Sequence, residues 1–488
     1  MELYEKSAAE LRDIIDSGQA CPSEVLESFI GRIEKTDSIV NAFLTYDFDN
    51  ARKKAKELDS RAKDPGHSAL WGIPYALKDN ICTDGLRTTC SSKMLENFVP
   101  TYSAYVYDRL RNEDAVLLGK ADMDEFAMGS TNETSALGSV KNPFDTDKVP
   151  GGSSGGAAAA VSAGMAAFAL GSDTGGSVRN PAAYCGITGF KPTYGTVSRY
   201  GVVSYASSLD QVGTLTGSIE DAAYVMNAVS GYDKRDSTSL NIKKADYTSF
   251  LDRDISGLKI GVDRASAEEG LHSDVLAVYN DTIETFRKLG AQIIDTNFRL
   301  SKYVIPVYYL IASAEASSNL AKFDGTLFGL RQEAASAEET VLKSRSEGFG
   351  SEVKRRIMLG TYALSAGYYD MYYNKALKVR RLIKDDFYSV LNSCDVFFCP
   401  TTPTPAFNIG EKIEDYMSLY LADIFTVTAN LTGVPAVSFP AGFSSDNLPA
   451  GMQLYAKGLN EEAIFRAVYS FQKETDFHLR KPQIKQKG

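Results

Sequence analysis

Residues 150–193 read PGGSSGGAAAAVSAGMAAFALGSDTGGSVRNPAAYCGITGFKPT and contain two glycine-rich turns, 151–156 and 175–177. Between the turns, the alanine-rich stretch 154–164 predicts a helix of small residues, and the apolar run 166–170 predicts a strand. Glycine lets a backbone approach a ligand closely, and successive N–H groups at the start of a helix bind anions. The stretch therefore predicts a strand-and-helix fold with an anion-binding turn.

The second turn combines such N–H groups with a hydroxyl group. In acyl transfer the anion is the tetrahedral oxyanion, and donors aimed at it are usually the largest catalytic contribution. This predicts Ser177 as a nucleophile beside an oxyanion hole made by the backbone of Thr174, Gly175, Gly176 and Ser177. A single glycine turn would be interpreted as a tight turn in a packed sheet. Two such turns, each carrying a serine (Ser153 and Ser177), favour catalysis.

A serine nucleophile needs a base, and histidine is the usual one. The chain has three histidines, His67, His272 and His478, and none is near either serine in sequence. Lysine is the main alternative, provided that its amine is neutral. Lys78 is the candidate because it ends an apolar run, 73–77, that predicts a buried strand. A buried lysine is costly unless it has partners.

The rest of the chain predicts an α/β fold. Predicted strands are Ile73–Leu77, Ala115–Gly119, Ala166–Leu170, Leu258–Val262, Gln292–Ile294, Val396–Cys399, Ala436–Phe439 and Met452–Tyr455. Predicted helices are 154–164, 218–230, 273–289, 366–391 and 460–474. This alternation predicts a large mixed, mostly parallel sheet covered by helices on both faces. We expect a single domain over 1–488, with a helical N-terminal segment over 1–62.

Composition argues against several classes of protein. The net charge of −10 and the pI near 5.1 argue against direct binding of a nucleic-acid backbone by this chain. No Cys-x-x-Cys pair, signal-peptide core or membrane-length apolar run occurs. The histidines have no metal-ligand spacing. We therefore expect a cytoplasmic enzyme with reduced thiols and without a metal or a membrane segment.

Five stretches together resemble the amidase signature family, and they span much of the chain. They are GIPYALKDN (72–80), GKADMDEFAMGS (119–130), PGGSSGGAAAAVSAG (150–164), GSDTGGSVRNPAAYCGITGFKPTYGTVSRYGV (171–202) and SSLDQVG (207–213). In that family a lysine, a serine on a cis peptide and a serine nucleophile form the catalytic set. By motif position, the resemblance places these on Lys78, Ser153 and Ser177 and implies a cis Gly152–Ser153 bond.

Further stretches resemble the A subunits of aspartyl/glutamyl-tRNA amidotransferases within that family. They are KADMDEFAMGSTNETSALG (120–138), SRYGV (198–202), DSTSL (236–240), SEVKRRIMLGTYALSAGYYD (351–370) and ADIFTVTANLTGVPAVSFPAG (422–442). The resemblance implies a glutaminase that releases ammonia for amidating glutamate or aspartate esterified to tRNA. It also implies two partner subunits in a heterotrimer. The complex would use ATP and Mg²⁺, expected on a partner, which would also bind most of the charged tRNA.

The resemblance also implies substrate contacts. Arg356 would hold the α-carboxylate of glutamine and Asp423 its α-ammonium, which suits a planar donor fork and an acceptor. Further substrate-contact candidates are Tyr308 and Met128. Residues expected to orient the catalytic set are Ser154 and Asp173. Three positions depart from the family pattern without removing a catalytic group: Ala157 for serine, Asn180 for glutamine and Thr214 for proline.

Three alternatives remain open on the sequence alone. Residues 152–156 also match the Gly-x-Ser-x-Gly elbow of α/β-hydrolases, which would make Ser154 the nucleophile and need His272 or His478. A free-standing amidase acting on other carboxamides would use the same catalytic set. A non-catalytic assembly subunit would be expected to lack Lys78, Ser153 or Ser177, and all three are present.

Overall fold

The computed structural model describes residues 2–61, 66–265, 270–411 and 422–484. Within these residues, eleven strands form one sheet. The strands are β1 Phe43–Tyr46, β2 Pro74–Lys78, β3 Val116–Ala121, β4 Phe168–Asp173, β5 Thr188–Lys191, β6 Gln211–Thr216, β7 Lys259–Val262, β8 Gln292–Asp295, β9 Val396–Pro400, β10 Ala436–Phe443 and β11 Pro449–Ala456. Their order across the sheet is β1-β3-β2-β4-β6-β5-β10-β11-β9-β7-β8.

The sheet is mixed, as the sequence predicts, but the parallel pairs are a minority. Strand β2 is parallel to β3 and β4, and β7 is parallel to β8 and β9. The other six pairings of the described strands are antiparallel. The expectation of a mostly parallel sheet is therefore corrected. The short connection between β10 and β11 allows only an antiparallel pair, because parallel neighbours need a long crossover.

The described helices cover the sheet and build two apolar cores. They are α1 Ala8–Asp16, α2 Pro22–Val40, α3 Phe48–Ser60, α4 Tyr105–Asn112, α5 Gly155–Ser162, α6 Arg179–Tyr184, α7 Ile219–Val229, α8 Ser273–Lys288, α9 Val304–Asn319, α10 Ala337–Gly348, α11 Ser351–Leu364, α12 Lys375–Ser393, α13 Val427–Thr432 and α14 Glu461–Glu474. The larger core includes side chains of α1, α2, α7, α8 and α14. The second core lies beneath α9, α12 and α13.

Two predicted segments differ in detail from the structure. The described residues of the N-terminal segment 1–62 form three α-helices, but they also form the edge strand β1. The predicted helix 366–391 begins with a π-helical turn, Asp370–Asn374, and continues as α12. The other four predicted helices coincide with α5, α7, α8 and α14 to within two residues at each end.

The three parallel strands β2, β3 and β4 determine where the predicted catalytic residues meet. Parallel neighbours end at the same edge of a sheet, and loops at that edge commonly hold ligands. Lys78 is the last residue of β2 and is in register with Ala121, the last residue of β3. Strand β4 ends at Asp173, immediately before the glycine turn 174–177. The fold thus brings chain segments nearly one hundred residues apart to one place.

Candidate active site

The lysine and the first serine contact each other in the interior. Lys78 Nζ lies 2.7 Å from Ser153 Oγ and 3.2 Å from the carbonyl oxygen of Ser172. Both side chains are fully buried, and the Gly152–Ser153 peptide bond is cis, as predicted. Burial lowers the pKa of Lys78 to about 7, although the carboxylate of Asp124 opposes the shift. A substantial fraction of this amine is therefore neutral near pH 7.

Ser177 lies on the turn that contacts the Ser153 segment. The Ser154 N–H donates to the Ser177 carbonyl oxygen at 3.1 Å, so the two serine-bearing turns are adjacent. Ser177 retains 7% of its surface, and its hydroxyl has no hydrogen-bond partner among the described residues. Gly176 has φ 130°, which other residues rarely adopt. The turn thus depends on glycine at 176 and leaves the Ser177 hydroxyl unbonded to the described residues.

Asp173 holds this turn in place through hydrogen bonds to its backbone. Its carboxylate accepts the N–H of Gly176 at 2.9 Å and the N–H of Val178 at 3.2 Å. It also receives the Arg179 guanidinium through two contacts of 3.1 Å. Burial raises the pKa of Asp173, but the charge and hydrogen bonds of Arg179, together with Lys191 and Asn430, outweigh burial and bring the pKa to about 2. Asn430 donates to the same carboxylate at 2.9 Å and completes this buried network.

The predicted oxyanion hole is partly occupied by this network. The Gly176 N–H bonds to Asp173 and is not directed at an oxyanion. The N–H groups of Thr174, Gly175 and Ser177 donate to no described residue. The Thr174 hydroxyl donates to the buried carboxylate of Asp210 at 2.6 Å. Three of the four predicted backbone donors therefore remain free to stabilise an oxyanion.

A buried acid, Asp124, supports the first turn in a role that the sequence patterns did not indicate. It follows β3, and its N–H donates to the Ser153 carbonyl oxygen at 3.2 Å. Its carboxylate accepts from the Asn132 N–H at 3.0 Å and the Thr134 hydroxyl at 2.8 Å. A methyl group at Gly152 would lie 2.0 Å from this carboxylate, so glycine is required there. The one sequence feature that could have suggested this role is the position of an acid inside the motif 119–130.

Asn180 holds the same turn from the other side. Its side-chain oxygen accepts the Gly152 N–H at 3.3 Å. This residue is one of the three departures from the family pattern, and it still supplies an acceptor. Ser154, predicted to orient the set, donates its hydroxyl to the Ser172 carbonyl at 3.3 Å. That carbonyl also contacts Lys78, so Ser154 and Lys78 share an acceptor.

Arg356 lies beside a cavity of about 410 Å³. The guanidinium is 4% exposed and donates to Glu352 at 2.7 Å and to the Tyr205 hydroxyl. It also lies over the Tyr309 ring, with 5.2 Å to the centroid. These contacts hold a permanent positive charge at the cavity wall. A carboxylate is the matching ligand chemistry.

Asp423 lies close to Ser130, which lines the same cavity. The Ser130 hydroxyl donates to Asp423 at 2.5 Å. Burial raises the pKa of Asp423 to about 7, while Ser130 and Arg356 oppose the shift. Thr426 donates its hydroxyl to the carbonyl oxygens of Asp423 at 3.1 Å and Gly175 at 2.6 Å. The segment that carries Asp423 is thus linked directly to the glycine turn 174–177, which carries Ser177.

The two remaining substrate candidates occupy different environments. Tyr308 contacts the nucleophile turn, because a methyl group at Gly175 would lie 2.5 Å from its hydroxyl oxygen. Met128 is fully buried in the second apolar core, and the cavity wall is formed instead by its neighbours Gly129 and Ser130. Ser130 is therefore a site residue whose role the sequence alone did not reveal, although it ends a recognised motif.

The histidines have contacts elsewhere, which bears on the α/β-hydrolase alternative. His67 stacks on Trp71 with ring centroids 3.9 Å apart. His272 accepts the Asp274 N–H at 3.3 Å and caps helix α8. His478 lies in a short C-terminal turn, Phe477–Leu479. No described hydrogen bond joins any of them to Ser153, Ser154 or Ser177, whereas Lys78 makes one.

Metal-binding clusters and membrane-length helices do not occur in the described ranges. Those ranges contain no group of three or more His, Cys, Asp or Glu side chains arranged to hold a metal ion. They also contain no helix long and apolar enough to cross a membrane.

Comparisons with known proteins agree on one family. Residues 24–465 match the family model described as Amidase. The A subunit of glutamyl-tRNA(Gln) amidotransferase from Thermoanaerobacter pseudethanolicus is 51% identical over 486 residues, or 99% of each chain. The protein of the same name from Staphylococcus saprophyticus is 51% identical, covering 98% of this chain and 99% of that one. The crystal structure of the Thermotoga maritima protein of that name has a TM-score of 0.81 at 39% identity, covering 100% and 99% of the chains.

Proposed function

This chain belongs to the amidase family, and from that premise we propose that it hydrolyses the side-chain amide of glutamine, with Ser177 as the nucleophile. We propose further that it supplies the ammonia as the glutaminase component of a tRNA-dependent amidotransferase. The observation that carries the chemistry is the buried contact of 2.7 Å between Lys78 and Ser153, beside the turn that carries Ser177. The identity of 51% to A subunits of such enzymes supports the biological role.

Acylation begins with the neutral amine of Lys78. The amine takes the hydroxyl proton of Ser153 as Ser153 takes the proton of Ser177, and Ser177 Oγ attacks the carboxamide carbon. The resulting oxyanion is stabilised by the free N–H groups at Thr174–Ser177. Ser153 then donates its proton to the leaving nitrogen and is reprotonated by the Lys78 ammonium, and ammonia departs. The product of this half-reaction is a γ-glutamyl ester on Ser177.

Deacylation reverses the proton path with water. Lys78 and Ser153 take one proton from the attacking water, and the hydroxide adds to the ester carbonyl. Collapse of the second tetrahedral intermediate breaks the bond to Ser177 Oγ, and Ser153 returns the proton to that oxygen. Glutamine and water thus give glutamate and ammonia, and the enzyme is restored.

The cavity that Ser130 and Arg356 line suits an α-amino acid. Arg356 offers a fixed cation for the α-carboxylate, and Asp423 offers an acceptor for the α-ammonium. Tyr308 packs against the Gly175 backbone, so we place it next to the reacting amide. An amide without the α-groups would gain neither ionic contact. This arrangement favours glutamine over a simple carboxamide.

The remaining steps are assigned to partner subunits. Amidation of an aminoacyl ester on tRNA needs ATP and Mg²⁺ for activation, and we place both on a partner. The net charge of −10 also favours a partner as the main site of tRNA binding. This chain would then contribute the glutaminase reaction and pass on the ammonia.

The decisive experiment measures ammonia release from glutamine by the purified chain, alone and with its partner subunits, ATP and charged tRNA. Ser177→Ala should reduce kcat by about a thousandfold or more, because the nucleophile is lost. The comparison variant is Ser154→Ala, which removes a hydroxyl expected to orient the set and should lower kcat by about tenfold, far less than Ser177→Ala. If Ser177→Ala keeps activity within about tenfold of the wild type, or if Ser154→Ala is the inactive variant, the assignment is wrong.

A further inference from the structure

Glu125 is a buried carboxylate at the cavity that the proposed reaction does not use. Its surface is 1% exposed, and its side chain lines the cavity next to Arg356 and Ser130. It begins a short turn, Glu125–Ala127, after the loop that follows β3. Phe126 and Ala127 have φ of 49° and 62°, so the turn has a defined, left-handed backbone. A buried charge in such a place needs an explanation.

The carboxylate of Glu125 connects the turn to the helix opposite. It accepts the N–H of Gly350 at 2.8 Å and the hydroxyl of Ser92. Gly350 is the N-cap of helix α11, whose first N–H groups have no partner inside the helix. An acidic group is favourable at a helix N-terminus, because it meets unpaired donors and the positive end of the helix dipole. Glu125 therefore fixes the beginning of α11.

The two elements that Glu125 joins carry the two proposed ends of the substrate site. Helix α11 carries Arg356, which lies less than two turns after Gly350. The turn continues to Ser130, whose hydroxyl holds Asp423 at 2.5 Å. A shift of the Glu125 turn relative to Gly350 would therefore change the separation between the Arg356 and Asp423 groups.

We infer that Glu125 is a positioning residue that sets the distance between the α-carboxylate site at Arg356 and the α-ammonium site at Asp423. It thereby selects an α-amino-acid amide over a plain carboxamide. The inference rests on the proposed glutaminase function. A small displacement of Arg356 or Asp423 would misplace the bound substrate and lose much of the rate gained from its orientation. Glu125 therefore affects the reaction without touching the reacting atoms.

The protonation state of Glu125 does not decide this role. Burial raises its pKa to about 7, while Ser92 and Gly350 oppose the shift. Either form keeps a carbonyl-type oxygen that accepts the Gly350 N–H. The length of the side chain, rather than its charge, is therefore the property that positions α11. This distinction provides a matched pair of variants.

The test uses the full chain, purified with its partner subunits, and two substrates: glutamine and butyramide, which lacks both α-groups. Glu125→Asp keeps the charge but is one methylene too short to reach Gly350 and Ser92 together. It should raise the KM for glutamine about tenfold, with kcat changed less than about threefold. Glu125→Gln keeps the length and should hold KM within about threefold of the wild type. Butyramide turnover by both variants should stay within about twofold.

A second variant approaches the contact from the helix. Gly350→Ala adds a methyl group whose carbon would lie 2.4 Å from the Glu125 carboxylate, and the backbone there has φ −71°, which alanine accepts. It should raise the KM for glutamine in the same way. The melting temperature of each variant is measured to check that it is folded at the assay temperature. If Glu125→Asp does not fold, the test relies on Gly350→Ala.

The outcomes separate the inference from the function on which it rests. An unchanged KM in both Glu125→Asp and Gly350→Ala overturns the inference and leaves the glutaminase function standing. A KM that rises in Glu125→Gln but not in Glu125→Asp also overturns it, because charge would then be the property that matters. A parallel loss with butyramide indicates general disruption and counts against it. If the wild type hydrolyses butyramide but not glutamine, the proposed function and the inference both fall.

Discussion

The pH dependence of amide hydrolysis gives a direct test of Lys78 as the base. Only the neutral amine accepts a proton, so activity follows the deprotonated fraction. The ordinary pKa of a lysine is 10.5, and burial brings that of Lys78 to about 7. At pH 7 the neutral fraction rises from about 0.03% to about half, a gain of more than a thousandfold in available base. Burial alone therefore makes this residue useful near neutral pH.

The assay measures kcat/KM for butyramide between about pH 5.5 and 9.5, because this ratio reports groups of the free enzyme. Butyramide lacks the α-groups, so titration of Asp423 does not enter. We expect kcat/KM to rise about tenfold per pH unit below 7 and to level off above it. At pH 5.5 the value should be about thirtyfold below the plateau.

The matched control for this experiment is a second buried lysine. Burial also lowers the pKa of Lys191 to about 7, but its amine donates to the Pro192 carbonyl at 2.8 Å and contacts no catalytic serine. Lys191→Met should leave the midpoint of the acid limb where it is. A profile that is flat over this range, a midpoint at the ordinary lysine value, or a midpoint that moves in Lys191→Met refutes Lys78 as the base.

Three further predictions concern binding and stability. The KM for glutamine should rise as pH falls through about 7. The reason is that burial raises the pKa of Asp423 to about 7, and only its carboxylate binds an ammonium. Asp423→Asn should flatten this dependence in steady-state assays. Arg179→Met should lower the unfolding free energy by about 3–5 kcal/mol in urea titrations, because it leaves the buried charge of Asp173 unpaired. Gly360→Ala should cost about 1–3 kcal/mol, since its methyl carbon would lie 1.9 Å from a backbone oxygen of α9. The control for Gly360→Ala is Gly31→Ala, which has open space around it in α2 and should be neutral or slightly stabilising in the same titration.

The proposed catalytic residues stand out in the sequence because their residue types are unusual in their places. A lysine that ends a buried apolar run and two serines in glycine turns are costly as structure, so they indicate function. The structure places Lys78 and Ser153 in contact and the Ser177 turn beside them. The cis bond at Gly152–Ser153 was implied by the resemblance and is present.

The strands that sequence patterns missed are short and lack a continuous apolar run. Strand β1 has the sequence FLTY and follows a helix, so its four residues looked like part of a helical segment. Strands β5 and β6 read TGFK and QVGTLT, with glycine and threonine breaking up the apolar positions. Their tertiary neighbours fully bury them. Whether such segments form strands depends on pairing partners that are distant in sequence. The pairings of β1, β5 and β6 are all antiparallel, which makes most of the sheet antiparallel.

The supporting residues of the site were invisible for a different reason. Asp124, Glu125 and Asp210 are acids in recognised motifs, but a sequence does not show which backbone N–H groups an acid will meet. The use of the Gly176 N–H by Asp173 is the same kind of fact. Hydrogen-bond partners from other segments determine these roles. The residues proposed for the reaction could thus be named from the sequence, whereas those that hold them in place required the fold.

The electrostatics of the interior explain why a lysine suits this site better than a histidine. Burial disfavours the protonated form of either base, so it lowers the pKa of both. His478 shows the effect, since burial takes its pKa from 6.5 to about 4. A histidine in the still more buried place of Lys78 would therefore be a weak base with little affinity for a proton. Lysine starts from 10.5 and reaches about 7, which leaves it neutral enough to accept a proton and basic enough to retain it. The same burial that would weaken a histidine thus suits a lysine to the proposed role of base beside Ser153.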